Sequence, residues 1–489
     1  MKNCCSQGIL WLAVANCGFT ANAWATDLTQ RLDVLTQSAP AGGFFGIHVV
    51  DVNTGNTVYA RNEDRLLLPA SNLKILTAAV ALERLGQDYR FTTRVLREAS
   101  GDIVLAGSGD PSLSGRVFPY QKDARPGPGL AAIEDLADQI AARGIRRIDG
   151  DIVGDDRWFP WDPYPASWTE DDTIRDYGAA VSALTVNDNV IRVSIVPGAR
   201  AGDPTALVLA PALEYLTFDN RVVTVARGGP AQVRAQRIPG SRQWLLAGSL
   251  PAGRPGVVEI LPVDDPALFA ASALYSALTA RGILIHGRPV ARHRALGELL
   301  TAIAGEELAV RTSPPLHELL RMMAKLSQNL HAELILREVG RSANGPGTRE
   351  GTTEAGLAEL RTYLSEIGAQ PGEWRLQDGS GLSRNALVTP RLLTRALTSM
   401  AKSMDKEIWI SLLPAGGEDG TLSHRLCCVA DGFGIRAKTG SLSRALALSG
   451  YAESKANGQL AFSILINDFS ASPGLVRQWI DKLAVALLE

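Results

Sequence analysis

A chain of 489 residues exceeds the ~100–200 residues of one ordinary domain, so two or three domains are expected. Its 46% hydrophobic and 20% charged residues match the globular average, which excludes wholesale disorder, collagen-like repeats and coiled coil. A formal net charge of -2 argues against a general nucleic-acid binder, which needs a basic excess to neutralise phosphates.

In chain order, residues 1–25 read as a secretory signal peptide: Lys2, an apolar stretch from Ile9 to Ala15, then the small-residue run Ala21-Asn22-Ala23-Trp24-Ala25. The stretch is too short to span a bilayer and no apolar run of ~18 residues follows, so an exported chain with no transmembrane segment is expected, periplasmic in location. Removal of the signal would leave only Cys427 and Cys428, too few for a disulfide scaffold. Phe44 to Val52 is strand-like, and the turn signal Asn53-Thr54-Gly55-Asn56 before Thr57-Val58-Tyr59 predicts a hairpin. Pro69-Ala70-Ser71 then opens an amphipathic helix through Leu73, Leu76, Ala79, Val80 and Leu82, ending near Gly86.

From about residue 93 to 300 the texture changes to short β-rich segments broken by Gly and Pro, which reads as separate, mostly β material. Helical periodicity returns at Leu316–Met323, Leu330–Val339 and Thr353–Ile367. Gly434–Lys438, Ala445–Tyr451 and Leu460–Asn467 read as a three-stranded meander, closed by a helix from Leu475 to Leu488. Helices and an antiparallel sheet thus flank a β-rich insertion.

Only nine of the 49 basic residues are lysine. A retained lysine points to a job for an ammonium whose pKa burial can lower, which a guanidinium cannot do. Two of the nine fall in short motifs: Ser71-Asn72-Leu73-Lys74 and Lys438-Thr439-Gly440-Ser441, with Ser327-Gln328-Asn329 between them. Three-residue spacing at a helix start puts the Ser71 hydroxyl and the Lys74 amine on one face. Ser71 can then be a nucleophile and neutral Lys74 its base, provided desolvation and a second cation, Lys438, lower the amine's pKa from about 10.4. The helix N-terminus favours the negative charge that develops on attack. Each motif alone is weak: Ser403-Met404-Asp405-Lys406 and Ser342-Ala343-Asn344 repeat two of them by chance. Their order and structural context raise the specificity, and the triple is the signature of penicillin-binding proteins and serine β-lactamases.

With these motifs the chain resembles the D-alanyl-D-alanine carboxypeptidase/endopeptidase family, the low-molecular-mass penicillin-binding proteins with a large insertion between the first two motifs. The likeness also runs through Gly107-Ser-Gly-Asp-Pro111, Ser182-Ala-Leu184, Asp378-Gly-Ser-Gly-Leu-Ser-Arg384 and Leu413–Leu422, and 252 residues separate Lys74 from Ser327. The resemblance implies an α/β fold, with a penicillin-binding, serine β-lactamase-like antiparallel sheet flanked by helices (residues 26–92 and 300–489). Two smaller, mainly β domains are inserted, one over 93–185 and 263–299, the other over 186–262. It implies Ser71 as the acylated nucleophile, Lys74 as general base, and Ser327 as the group passing the proton to the leaving amine. Asn329 would hold Lys74 and the substrate amide, and Lys438 would tune the site. Thr439 and Ser441, with Gly440 between them, would bind the terminal carboxylate, and the backbone amides of Ser71 and Ser441 would form the oxyanion hole. In the insertion, Trp168 and Asp172 resemble a segment that reaches the diamino acid of the peptide stem. Gln328 departs from the family, which often has Asp there.

The expected partners are peptidoglycan stem peptides, with β-lactams as covalent inhibitors; a homodimer is left open. No cofactor or metal is implied. The six histidines are scattered, His317-Glu318 lacks the second His of a zinc helix, and Ala437 stands where a phosphate-binding loop needs glycine. A β-lactamase or esterase on the same fold, and a wall-binding module that cuts nothing, are the alternatives.

Overall fold

The computed structural model describes residues 21–238, 241–343, 351–426 and 434–489. Cys427, Cys428 and residues 1–20 of the expected signal lie outside them; residues 21–25 form the start of a helix running Ala21–Gln37. The central sheet has five antiparallel strands, in the order Ile435–Leu442, Ala445–Ser454, Gly458–Asn467, Phe44–Asp51 and Thr57–Arg61. The N-terminal hairpin therefore closes onto the C-terminal meander, and the strand carrying Lys438 is left at an edge.

Alternation along these strands separates two cores. Ile47, Val49, Ala437, Leu448, Phe462 and Ile464 face the helices Ala21–Gln37 and Pro473–Ala486. Ala447, Tyr451, Ala461 and Leu465 face the other way, onto the helix Leu73–Leu85 and a group that includes Leu316–Leu326, Asn329–Ala343, Thr353–Glu366 and Pro390–Met400. The C-terminal helix buries Val476, Trp479, Ile480 and Leu483 against the sheet, which accounts for its apolar face.

The middle of the chain builds a second five-stranded sheet, in the order Pro289–Arg292, Ile152–Asp155, Ile103–Ala106, Thr92–Arg97 and Glu306–Thr312, and two three-stranded sheets within 190–262. The edge strand Glu306–Thr312 comes from beyond residue 299 and pairs antiparallel with Thr92–Arg97. Among the described residues this region also holds two long helices, Ala131–Ala142 and Pro266–Ala280, that a reading of β texture passes over. The second is apolar around most of its circumference because it is buried on most sides, so it lacks the one-sided pattern of a surface helix.

Asn467, at the end of a central strand, ties the sheet to the approach to Ser71. Its Oδ1 accepts from the Leu68 amide at 2.7 Å and its Nδ2 donates to the Leu68 carbonyl at 3.2 Å. Replacing it with leucine strands both groups, so Asn467→Leu should lower unfolding stability by about 1–3 kcal/mol, read as a lower urea midpoint at unchanged slope.

Candidate active site

Ser71 lies in a 3-10 turn, Ala70–Asn72, that runs directly into the helix Leu73–Leu85. Ala70 has φ 47°, a left-handed conformation costing a non-glycine residue of order 1 kcal/mol. Packing holds it there. Gly381 has φ 77°, and a Cβ on it would stand 1.9 Å from the Ala70 carbonyl oxygen, so only glycine permits this approach. On the other side Gly440 brings the edge strand against the same turn, where a Cβ would meet the Pro69 carbonyl at 2.5 Å.

Lys74, one turn after Ser71, is 1% exposed. Its Nζ has three polar neighbours: Ser71 Oγ at 2.9 Å, Asn329 Oδ1 at 2.6 Å and the Ser380 carbonyl at 2.7 Å. Burial lowers its pKa to about 7, against the opposing pull of the Asp378 and Glu333 carboxylates. Desolvation is thus the first cause, where the sequence suggested that a second cation would share the work. Lys438 is equally buried, and both burial and the charge of Lys74 push it well below the ordinary lysine range.

Ser327 follows the helix Leu316–Leu326 as its left-handed cap, φ 60°, with its amide bonded to the Met323 carbonyl. That conformation turns its Oγ toward the edge strand, where Lys438 Nζ donates to it at 2.9 Å and to the Thr439 carbonyl at 2.8 Å. Asn329, two residues on, places its Oδ1 on Lys74 while its Nδ2 donates to the Tyr177 carbonyl from the insertion at 2.9 Å. Thr439 Oγ1 lies 2.8 Å from Thr421 Oγ1, Gly440 is buried against the Ser71 turn and Ser441 is exposed. The three motifs therefore meet in one place. A cavity of about 920 Å³ extends from Ser327, Gln328 and Asn329 along the insertion, past Tyr177, Arg116 and Arg192.

The insertion also supports the site from behind. Trp168 donates its indole N–H to Asp378 at 3.0 Å, and Asp378 also accepts from the amides of Gly381 and Ser383. Asp172 does not present an open carboxylate. It is 1% exposed, caps the short helix Glu170–Thr173 through Thr169, and pairs with Arg384 at 2.5 and 3.1 Å. Burial pushes its carboxyl up, but Arg384 and Thr169 outweigh this and hold it below the usual range. A substrate cation would have to compete with Arg384, whereas Asp171 beside it is exposed. Sequence reasoning missed Glu333 altogether; the available signal was its position four residues after Asn329, on the same helix face.

Among the described residues no group of His, Cys, Asp and Glu forms a metal-binding cluster, and no helix is long and apolar enough to cross a membrane.

Residues 28–486 match the D-Ala-D-Ala carboxypeptidase 3 (S13) family. The chain is 35% identical to a D-alanyl-D-alanine carboxypeptidase of Actinomadura sp. (strain R39), covering 96% of this chain and 86% of that one. It is 24% identical to D-alanyl-D-alanine carboxypeptidase DacB of Haemophilus influenzae over 92% and 89%. The crystal structure of penicillin binding protein 4 (dacB) from that organism superposes with TM-score 0.78 at 24% identity, covering 92% of this chain and 97% of that one.

The Gly381 contact yields a direct expectation. On the expectation that Ser71 is the residue a β-lactam acylates, Gly381→Ala should displace Ala70 and misaim Ser71 by a fraction of an ångström or more, cutting the rate of β-lactam labelling about 10²-fold while circular dichroism stays that of the folded chain.

Proposed function

The chain belongs to the D-Ala-D-Ala carboxypeptidase 3 (S13) family of serine-type hydrolases, and within that activity we propose that Ser71 is the acylated nucleophile, with Lys74 as its base. The observation that carries the assignment is the surroundings of the Lys74 amine. A neutral amine has two N–H donors and one lone pair. Asn329 Oδ1 and the Ser380 carbonyl accept but cannot donate, so they take both N–H groups. The lone pair is left for the Ser71 hydroxyl.

In the acylation step a Ser71 Oγ–C bond forms at the D-alanyl carbonyl as the hydroxyl proton passes to Lys74 Nζ. The carbonyl oxygen becomes an oxyanion, for which the start of the Ser71 helix and the edge strand supply backbone donors. The C–N bond then breaks, and the departing amine takes a proton through Ser327, whose Oγ is hydrogen-bonded to Lys438. Thr439 and Ser441 bind the terminal carboxylate, and Asn329 exchanges its contact with Tyr177 for the substrate amide. Water then attacks the ester, with the same groups in reversed roles. The substrates of this reading are peptidoglycan stem peptides with a D-Ala-D-Ala end or a D-alanyl cross-link. A β-lactam reacts in the same way but keeps its leaving group tethered, so the adduct persists. Action in a periplasm belongs to the same proposal, supported by the apolar segment Ile9–Ala15 and the small residues after it.

Incubation with a β-lactam followed by peptide mass analysis should place one adduct on the Ser71 peptide, and Ser71→Ala should carry none. An adduct on another serine would overturn the assignment. Because Lys74 must be neutral to act, acylation should fall about tenfold per pH unit below about 7 and level off above it. An acid limb near the carboxylate range would instead identify a carboxylate as the base.

A further inference from the structure

Glu333 belongs to none of the three motifs, yet it lies one helical turn beyond Asn329 and is fully buried. Its carboxylate accepts from two successive backbone amides, Gly379 at 3.0 and 3.1 Å and Ser380 at 2.8 Å. The next amide, Gly381, donates to Asp378 at 3.0 Å. Thr77 Oγ1, three residues beyond Lys74, donates to the Gly379 carbonyl at 2.6 Å. Between these fixed points stands the Ser380 carbonyl, 2.7 Å from Lys74 Nζ.

We propose that Glu333 is a positioning residue for the general base: by gripping the amides of Gly379 and Ser380 it fixes the backbone that leads into the Ser380 carbonyl, whose own peptide plane Asp378 holds through the Gly381 amide, and its charge sets the pH at which Lys74 can take the Ser71 proton. This rests on the reading of Ser71 and Lys74 given above. The lone pair of Lys74 faces Ser71 only while two acceptors hold its N–H groups. If the Ser380 carbonyl moves away, a freed N–H can turn to Ser71 Oγ, and the amine becomes a donor to the nucleophile instead of its base.

The charge acts in a definite direction. An anion near Lys74 favours the ammonium, so Glu333 opposes the lowering that burial produces. Burial first, and the charge of Asp378 second, push the Glu333 carboxyl itself up, while Ser380, Gly379 and Arg337 draw it down. The other charged groups facing this pair are Asp378, Lys438 and Arg337, and Arg337 in turn faces Asp162 and Asp156. Removing the Glu333 charge should therefore make Lys74 a base at lower pH.

Two variants separate the grip from the charge. Glu333→Gln keeps a carbonyl oxygen for the two amides and loses the charge; Glu333→Ala loses both. Acylation rates with a fluorescent penicillin, followed across the neutral range on the full chain, should show the acid limb of Glu333→Gln about one unit below that of the wild type, with a plateau within a few-fold. Glu333→Ala should lose about 10²-fold on the plateau. A Glu333→Gln limb at the wild-type position overturns the proposal, whatever happens to its rate, because a merely structural residue would leave the limb in place. A wild-type plateau in Glu333→Ala also overturns it, and should that variant fail to fold, the Glu333→Gln limb decides alone. If the wild-type chain takes no adduct at Ser71, the earlier reading fails and this proposal falls with it, whereas a Ser71 adduct with an unmoved Glu333→Gln limb overturns this proposal alone.

Discussion

One buried amine imposes its requirements on the rest of the molecule. Removing an ammonium from water costs several kcal/mol even after relaxation, so enclosing Lys74 favours the neutral form, and the enclosure must then supply hydrogen bonds in place of water. Those bonds come from positions 71, 329 and 380. Ser71 is local, but Asn329 and Ser380 come from 255 and 306 residues away, so a helix and a loop have to be packed against the Lys74 helix to within a few tenths of an ångström. A site assembled on rigid elements meets that tolerance better than one assembled on loops.

The same requirement explains where the backbone is strained. Ala70 and Ser327 both take left-handed conformations that non-glycine residues avoid, and each directly shapes the position of a hydroxyl beside a buried lysine, Ser71 at Lys74 and Ser327 at Lys438. The strain persists because the surroundings over-determine it. Asn467 holds Leu68, Gly381 and Gly440 admit close backbone approaches around the Ser71 turn, and Ser327 is capped onto Met323. A site held this tightly gains little from mobility, and it draws on a core packed on both faces of the sheet.

Sequence reading recovered what depends on local pattern. The hairpin, the Ser71 helix, the three helices after residue 316, the final meander and the three motifs all carry period, turn or spacing signals. It did not recover what depends on tertiary pairing. Glu333 looks like any helical glutamate until Gly379 and Ser380 arrive from 46 and 47 residues away. Asp172 looks like an available carboxylate until Arg384 reaches it across 212 residues. The helix Pro390–Met400 did carry a local signal, Thr389 as N-cap followed by proline, which the reading did not use. The Ala-rich helix Pro266–Ala280 was harder, because full burial erases periodicity.

Lysine usage shows how composition and chemistry are linked. Lys74, Lys325 and Lys438 are each no more than 2% exposed, and all three belong to the surroundings of the site. Lys325 was overlooked in the sequence because it lies in no motif. Its Nζ donates to the Leu413 carbonyl at 2.7 Å and to Asp419 at 2.9 and 2.7 Å, fixing the segment that brings Thr421 to Thr439. A guanidinium would fail at these positions for two reasons. It has five donors in a rigid fork, whereas the Lys74 pocket offers three polar neighbours; buried Arg337 shows the difficulty, with Nε and one terminal nitrogen left unpartnered. It also stays charged at any pH the protein meets, so it could anchor a loop but never accept a proton. A chain that otherwise prefers arginine therefore keeps lysine where a compact amine fits two or three polar neighbours, and in the proposal above position 74 also uses the ability to lose its charge.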